Sequence, residues 1–397
     1  MRIGIEAQRL LRRNKHGIDI VALNILRTLP LADTVNEYVL FTRNGEDTAC
    51  LSMLSNIRTV ILPALTYADW EQIRLPLAVR KEKIDLLLCT SSTAPLFVSV
   101  PTILTVHDVI SFERPLFGER GQSIYQRLGN AYRTFVSRRA MANAEKIVTV
   151  SNFEKEQIVL RFPHLQSRVS VIHNGVDAQF FSTAGEKDVR DVQQQYALPR
   201  SYFLHFGNSD PKKNTAFVVR SFVTYAQKAT NIIPLVVTDL PRTTVDALLK
   251  KYSAEHLSKH IHTPGYIAHD HLPGMYASAL ALLFPSKRES FGLPILEAMA
   301  AGVPVIAMKN SAITEVAGDA ALFLRSEHTH ELALAMNVIQ TDSQRVIAQV
   351  QRGINRAAEF GWNRAAELYT LQFASFRHMI SVPVNRSSNY TVQPSFH

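Results

Sequence analysis

Two acids, a pair of lysines and a histidine are the residues of this chain whose types and spacing could do chemistry. Glu289 and Glu297 stand eight positions apart in the string Glu289-Ser-Phe-Gly-Leu-Pro-Ile-Leu-Glu297. Pro294 suits the first turn of a helix, where its missing N–H would be unpaired anyway. Ala298 to Ala301 favour helix, and Gly302 can end it in a left-handed conformation. Glu289 is therefore expected on the loop before a helix, and Glu297 one turn inside it. The free N–H groups of that first turn favour an anion, phosphate being the usual one. Ionised carboxylates are strong acceptors for sugar hydroxyls. A second string, Gly207-Asn-Ser-Asp-Pro-Lys-Lys213-Asn214, places glycine, polar residues and two lysines at a strand-to-helix turn, a setting suited to a diphosphate. It lacks the Gly-Lys-Ser/Thr ending of a P-loop. His107-Asp108 closes an apolar strand, and ligands of open parallel sheets bind beyond the carboxyl ends of strands.

The elements that must position these groups are short, apolar and β-branched. Strands are expected at Arg2 to Glu6, Tyr38 to Thr42, Ile57 to Leu62, Ile84 to Cys89, Thr102 to Val106, Ala144 to Val150 and Val169 to Ile172. A second series is expected at Tyr202 to Phe206, Leu235 to Thr238, Ile261 to Pro264, Ala281 to Phe284 and around Val305. Helical patterns alternate with them, which argues for parallel sheets flanked by helices. The first strand–loop–helix unit, with Gly17 before a helix from about Ile18, lacks Gly-x-Gly-x-x-Gly, which counts against a dinucleotide enzyme. Ser151 with Glu154 resembles a capping box. The histidines at 262, 269 and 271 are expected on the surface, and no third ligand accompanies them as metal binding would need. A boundary is expected in the polar stretch after Asp177, giving domains 1–178 and 179–359. A final helix opens at Phe360-Gly-Trp362, and the Ser-, Asn- and Pro-rich tail from 381 is expected to be disordered.

Around Glu289 the string is specific. Both acids, the Phe-Gly between them, the proline and the small-residue helix resemble the donor-site signature of the family-4 retaining glycosyltransferases. The resemblance runs over about residues 1 to 378 and implies the GT-B fold: α/β, two Rossmann-like domains with parallel sheets facing across a cleft, and a C-terminal helix (360–378) crossing back to the first domain. It implies a nucleotide diphospho-sugar donor, with Lys213 on the diphosphate, Glu297 on the ribose and Glu289 on a sugar hydroxyl. It also implies contacts from Ser290, Phe291, Gly292 and Leu293, and His107 touching the transferred sugar. Gly17 either lets the backbone approach the ligands or only makes the turn, and the two readings are equal. Many members carry Arg after the first glycine of the 207–214 loop. This chain has Asn208 there, so part of the phosphate clamp is missing or comes from elsewhere. Trp70-Glu71-Gln72 followed by Leu75-Pro76 resembles the mannosyltransferase-B-like subset, whose members act on O-antigen precursors. Ser311 to Asp319 resembles a further family pattern, with Thr314 in place of its proline, and is read as structural.

The resemblance thus implies a retaining hexosyltransferase, with mannose from GDP-mannose the favoured donor and a glycan or polyprenyl-linked acceptor in cell-surface polysaccharide synthesis. The alternatives are a sugar-nucleotide epimerase of similar fold and a non-catalytic nucleotide-sugar binder. No Asp-x-Asp is present, so metal-independent action and no cofactor are expected. With 46% hydrophobic and 19% charged residues the chain reads as a globular protein of two domains. No apolar run spans a bilayer and no leader is seen at Met1, which points to the cytoplasm. Cys50 and Cys89 form no redox or metal spacing. The net charge of +9 comes without a nucleic-acid-binding module, which leaves an anionic small molecule or a membrane as partners. Arginines gather between Arg114 and Arg139 in a helical stretch. A solvated amphipathic helix is the favoured reading, and contact with anionic lipid at the inner face of the membrane is the sharper one.

Overall fold

Apolar runs with both faces buried are what parallel sheets require, and the chain forms two of them. The structure, a computed structural model, describes residues 1–54, 57–112, 124–182, 184–208 and 210–381. The tail beyond 381 and the start of the arginine-rich segment, 113–123, lie outside the described residues.

The first sheet contains β1 (Arg2–Glu6), β2 (Glu37–Thr42), β3 (Arg58–Ile61), β4 (Leu86–Cys89), β5 (Thr102–Val106), β6 (Lys146–Thr149) and β7 (Val169–Val171). The second contains β8 (Tyr202–Phe206), β9 (Leu235–Thr238), β10 (Ile261–Gly265), β11 (Ala279–Phe284), β12 (Val305–Met308) and β13 (Leu322–Leu324). Their orders are β3-β2-β1-β4-β5-β6-β7 and β10-β9-β8-β11-β12-β13, with parallel pairing throughout. Both are doubly wound sheets whose order reverses once, between β1 and β4 and between β8 and β11. Clefts for ligands open at such reversals.

Alternation sorts each strand between two helix-covered faces. Leu86 and Leu88 enter one core of the first sheet, and Leu87 and Cys89 the other. The helices that matter for the site are α1 (Gly17–Ala32), α2 (Ile124–Asn143), α3 (Asn152–Arg161), α4 (Thr215–Ala226), α5 (Leu293–Ala300), α6 (Ser311–Ala317) and α7 (Trp362–Ser381). The chain passes from the second sheet back to the first through α7. Trp362, Tyr369, Phe373 and Phe376 are buried there in the same core as Ile25 and Leu29 of α1, and the Tyr369 hydroxyl lies 3.0 Å from Thr105 Oγ1 of β5.

Two local expectations are corrected. The sequence predicts one helix from His269 to Ala279, but a 3-10 turn, His269–His271, leads into a helix from Leu272 to Ala277, and β11 begins at Ala279. At α3 the Ser151 hydroxyl accepts from Glu154 N–H at 3.2 Å, but no reciprocal bond from the Glu154 side chain completes a capping box. That carboxylate turns instead to Arg288 of the other half. Trp70 is fully buried, as a packed aromatic would be, and opens a π-helical turn, Trp70–Arg74.

Candidate functional site

The loops leaving β8 and β11, neighbours in the second sheet, build one wall of a cleft. Gly207 begins the first loop because nothing larger fits: a Cβ would meet Val237 Cγ1 at 2.7 Å and the Thr238 carbonyl at 3.1 Å. Asn208 Oδ1 accepts from Asp210 N–H at 2.9 Å, and Asp210 Oδ1 from Lys212 N–H at 3.1 Å, so the loop folds on its own side chains. Asn214 closes it in a left-handed conformation (φ 59°) and donates from Nδ2 to the Pro285 carbonyl at 3.3 Å. Lys287 N–H donates to the Lys212 carbonyl at 2.8 Å, knitting the two loops together. Beneath them His205, fully buried between the Leu283 carbonyl and Thr215 Oγ1, is held neutral, burial bringing its pKa down to about 4.

This stitching sets Lys213 Nζ 2.7 Å from Glu289 Oε1, with both side chains largely buried. Ser311 of α6 accepts from Glu289 N–H at 3.1 Å and fixes the acid's backbone. Ser311 is itself at φ 46°, an uncommon conformation for a residue with a Cβ. Gly292, at φ 102°, opens α5, and Pro294 lies in its first turn. Glu297 follows one turn in. Its Oε2 accepts from the Tyr276 hydroxyl at 3.0 Å, while no described residue donates to Oε1. Burial, with Asp177 adding repulsion against the Tyr276 bond, raises its pKa to about 7.

The opposite wall comes from the first sheet. Gly17 starts α1 facing α5: Leu293 Cδ1 would lie 3.9 Å from a Cβ placed there. Its φ is not in the left-handed region, so the turn alone does not demand glycine. His107 follows β5 and is buried. Its Nε2 donates to the Thr90 carbonyl at 2.8 Å, which fixes the proton on that nitrogen and leaves Nδ1 as the acceptor of the neutral ring. Burial lowers its pKa, the Thr90 bond only partly opposing.

Between the walls lies a cavity of about 490 Å³. It is lined by His107, Gly17, Asn208, Lys213, Glu289, Ser290, Phe291, Gly292, Leu293 and Glu297, so the residues expected to meet the donor border the same space. The lining also includes Arg9, Lys212 and Asp239, which were not singled out from the sequence, and Tyr266, in a stretch that the family resemblance puts beside the nucleotide base. Arg9 is engaged, its Nε 3.3 Å from Asp19 Oδ1.

The walls are joined at the floor. Ser151 Oγ donates to the Ser290 carbonyl at 2.7 Å, and Arg288 Nη2 reaches Glu154 at 3.2 Å. Burial raises the Glu154 pKa to about 7 against the pull of Arg288. Glu315 of α6, in the stretch read as structural, spans the halves. It accepts from Asn152 N–H (2.9 Å), Asn152 Nδ2 (2.8 Å), Phe153 N–H (3.1 Å) and His173 Nε2 (2.6 Å). Burial would raise its pKa, but these donors outweigh burial and bring it down to about 2. At the mouth the Tyr266 hydroxyl donates to the Lys15 carbonyl at 3.1 Å across the gap.

The histidines expected on the surface are partly enclosed. The His269 ring meets Phe180 edge-on at 5.5 Å, and burial lowers its pKa. His271 Nδ1 lies 2.8 Å from the Tyr196 hydroxyl. Glu71 of the Trp-Glu-Gln string is buried in the first half, where it accepts from the hydroxyls of Thr93 and Tyr132 and from Gln72 Nε2. It does not line the cavity.

Residues 188–356 match the family "Glycosyl transferases group 1", and residues 9–180 match "Glycosyltransferase Family 4". The chain is 26% identical over 261 residues to O-antigen chain mannosyltransferase B of Escherichia coli, and 28% identical over 267 residues to O-antigen chain mannosyltransferase RfbU of Salmonella typhimurium. In both cases the match takes in 66% of this chain and 66% of the relative, just under two thirds of its length. Among solved structures, Anabaena HepE in complex with UDP is similar at a TM-score of 0.70 and 18% identity, covering 94% of this chain and all of HepE. WaaG, a glycosyltransferase involved in lipopolysaccharide biosynthesis, is similar at 0.70 and 13%, covering 92% of this chain and 98% of WaaG. At such identities the structural likeness speaks to the fold, which is GT-B.

Proposed function

This chain belongs to glycosyltransferase family 4, and from that premise we propose that it moves a hexose, mannose from GDP-mannose being the favoured case, onto a glycan or polyprenyl-linked acceptor in cell-surface polysaccharide synthesis. Residues 1–178 with the returning helix 360–378 form the acceptor side, and residues 179–359 the donor side. The observation that carries the reading is the convergence of Lys213, Glu289 and the start of α5 on one cavity whose far wall holds His107.

The chemistry follows from what a departing nucleoside diphosphate needs. Negative charge develops on the leaving oxygen, and preoriented donors at that point lower the barrier most. Lys213 supplies the cation. Lys212, which borders the same cavity, takes the place of the arginine that Asn208 does not provide. The first-turn N–H groups of α5 add oriented dipoles. Lys213 is now engaged by Glu289, so an entering diphosphate draws the lysine away and frees the carboxylate for a sugar hydroxyl. Glu297 offers Oε1 to the ribose, and His107 Nδ1 accepts from a hydroxyl of the transferred sugar. With cations and amides meeting the diphosphate, the reaction is metal-independent and unaffected by a chelator. Configuration is retained by front-side attack, the leaving phosphate assisting deprotonation of the acceptor.

The acceptor side also suits an anionic lipid surface. Ile73 and Leu77 are exposed beside Arg74 and Arg80, and Phe135 of α2 is exposed with Arg139 5.8 Å above its ring. Among the described residues no helix is long and apolar enough to cross a membrane, so the contact is peripheral, at the cytoplasmic face. Co-sedimentation with anionic but not neutral vesicles tests it.

Incubation with a panel of sugar nucleotides and lipid-linked acceptor tests the activity. Free nucleotide together with glycosylated product is expected. Conversion of donor to an isomeric sugar without acceptor would instead indicate the epimerase, and tight binding without turnover a non-catalytic binder.

A further inference from the structure

We propose that Asp239 selects the base of the donor, its carboxylate accepting from N1–H and the N2 amine of guanine. The inference rests on the donor reading above and adds the group that reads the nucleoside.

The direction in which the nucleoside lies follows from the shape of the cavity. The diphosphate anchor stands at the ends of β8 and β11. On one side of it the cavity runs to His107 of the first half, where the sugar must meet its acceptor. Along the second sheet it continues past the end of β9 at Thr238 and Asp239 to Tyr266, Ile267 and Leu272. No residue of β12 or β13 borders it. A nucleoside tethered to the diphosphate therefore extends toward β9 and β10, where an aromatic ring and two aliphatic side chains offer a surface for a planar base.

Asp239 is the acid at that end whose role nothing else in the structure explains. It leaves β9 at φ 54°, a left-handed conformation tolerated by Asp and Asn but better suited to glycine. Its N–H donates to the Gly265 carbonyl at 3.0 Å, which ties it to the Tyr266 loop. No described residue donates a hydrogen bond to its carboxylate. The residue is open to the cleft, yet the walls crowd the carboxyl enough to raise its pKa, with His16 and Lys213 opposing. A strained backbone that holds an unpartnered acid in a binding cleft is poorly explained by folding alone.

Base chemistry then discriminates. Guanine presents two adjacent donors, N1–H and N2–H, that match the two oxygens of a carboxylate. Hypoxanthine keeps only the first. Uracil has a single N–H between two carbonyl oxygens, which a carboxylate repels, so the same group both attracts one base and rejects the other.

Calorimetric titration of the full chain with GDP, IDP, UDP and 2′-deoxy-GDP tests this. Asp239→Asn and Asp239→Gly are the variants, since both residue types accept the left-handed backbone and keep the fold. The wild type is expected to bind GDP at least about tenfold tighter than IDP or UDP, and 2′-deoxy-GDP is expected to lose only its ribose contact with Glu297, by the same factor in wild type and variants. Asp239→Gly is expected to bring GDP down to the IDP level and leave UDP unchanged or tighter. An unchanged GDP-to-UDP ratio in Asp239→Gly, or an equal loss for all ligands, overturns the assignment while leaving the donor site intact. A loss that disappears with 2′-deoxy-GDP would move Asp239 to the ribose and also overturn it. Failure of the wild type to bind any of the four would remove the donor site and the inference together.

Discussion

The two walls of the cleft are built differently. The second-sheet wall is backbone work: Gly207 and Gly292 admit close approach, and the loops are stitched by Lys287 N–H to the Lys212 carbonyl and Asn214 to the Pro285 carbonyl. The first-sheet wall is assembled from side chains far apart in sequence. His107 is oriented by the Thr90 carbonyl, and behind it Glu6 accepts from Gln8 and Thr90 N–H groups, its pKa raised by burial with repulsion from Glu71 adding to it. A wall of amides and lysine cations suits a diphosphate, which every donor shares. A wall of side chains suits the part of the reaction that differs between enzymes. Substitutions in the two should therefore fail in different ways.

The largest effect is expected at Lys213. Lys213→Ala removes the cation on the leaving group and leaves Glu289 largely buried without its partner. We expect kcat/KM to fall by about 100-fold or more, with donor affinity falling too, measured by nucleotide release and calorimetry. Lys213→Ala and Glu289→Ala should be strongly non-additive, since each removes the other's partner. A rate within threefold of wild type would take the diphosphate away from this wall.

His107→Phe should separate the walls. It removes an acceptor for the transferred sugar but touches nothing on the diphosphate side. A lost hydrogen bond of roughly 1–2 kcal/mol corresponds to about a fivefold to thirtyfold drop in transfer, with nucleoside diphosphate affinity unchanged. Equal loss of nucleotide binding would show that the contrast drawn here is false.

What the sequence disclosed follows the same division. Glu289 to Glu297 was legible because helix start, glycine, proline and acids are local, and their spacing alone places one acid before the helix and one inside it. The doubly wound sheets were legible from strands that are apolar on both faces. The floor was not. Glu315 lies in a stretch that reads only as structural, with Thr314 where proline is usual, and the folded chain alone brings it to Asn152, Phe153 and His173, more than 140 positions away. Ser311 and Asp239 were hidden for another reason. Their positive φ angles are tertiary outcomes, and neither residue type announces one as glycine does.

The floor holds the walls in register, so its loss should be milder than loss of either. Glu315→Ala removes a largely buried carboxylate with four donors. Screening by the exposed part of the site limits the cost to about 2 kcal/mol of stability. Transfer should fall fivefold to tenfold, with a larger radius of gyration in X-ray scattering and unchanged affinity for free nucleotide. The pH sign is fixed by the pKa of about 2 against 4.5 unperturbed. The contribution is complete above pH 4.5 and is lost as pH falls through 2, so the wild-type advantage in thermal melts should shrink on acidification. An advantage independent of pH would mean the carboxylate charge plays no part.

The smallest effect is a slope. With a folded pKa of about 7 against 4.5, Glu297 is neutral below pH 7 and becomes a stronger acceptor for ribose hydroxyls as pH rises through 7. Fold stability runs the other way, because ionising a buried acid weakens the folded state; that contribution is complete below 4.5 and is lost as pH rises through 7. Affinity for an intact sugar nucleotide, whose phosphates stay ionised throughout, should therefore tighten several-fold between pH 6 and pH 8, roughly the change a single charge-assisted bond permits. Glu297→Gln should flatten that slope at an affinity near the acid-side value, read by calorimetry across the range. A slope that survives the substitution would shift the titration to Glu154 at the floor or Glu6 behind the first wall, the other acids raised to about 7. Donor binding would then be governed by how the halves meet rather than by the wall that holds the ribose.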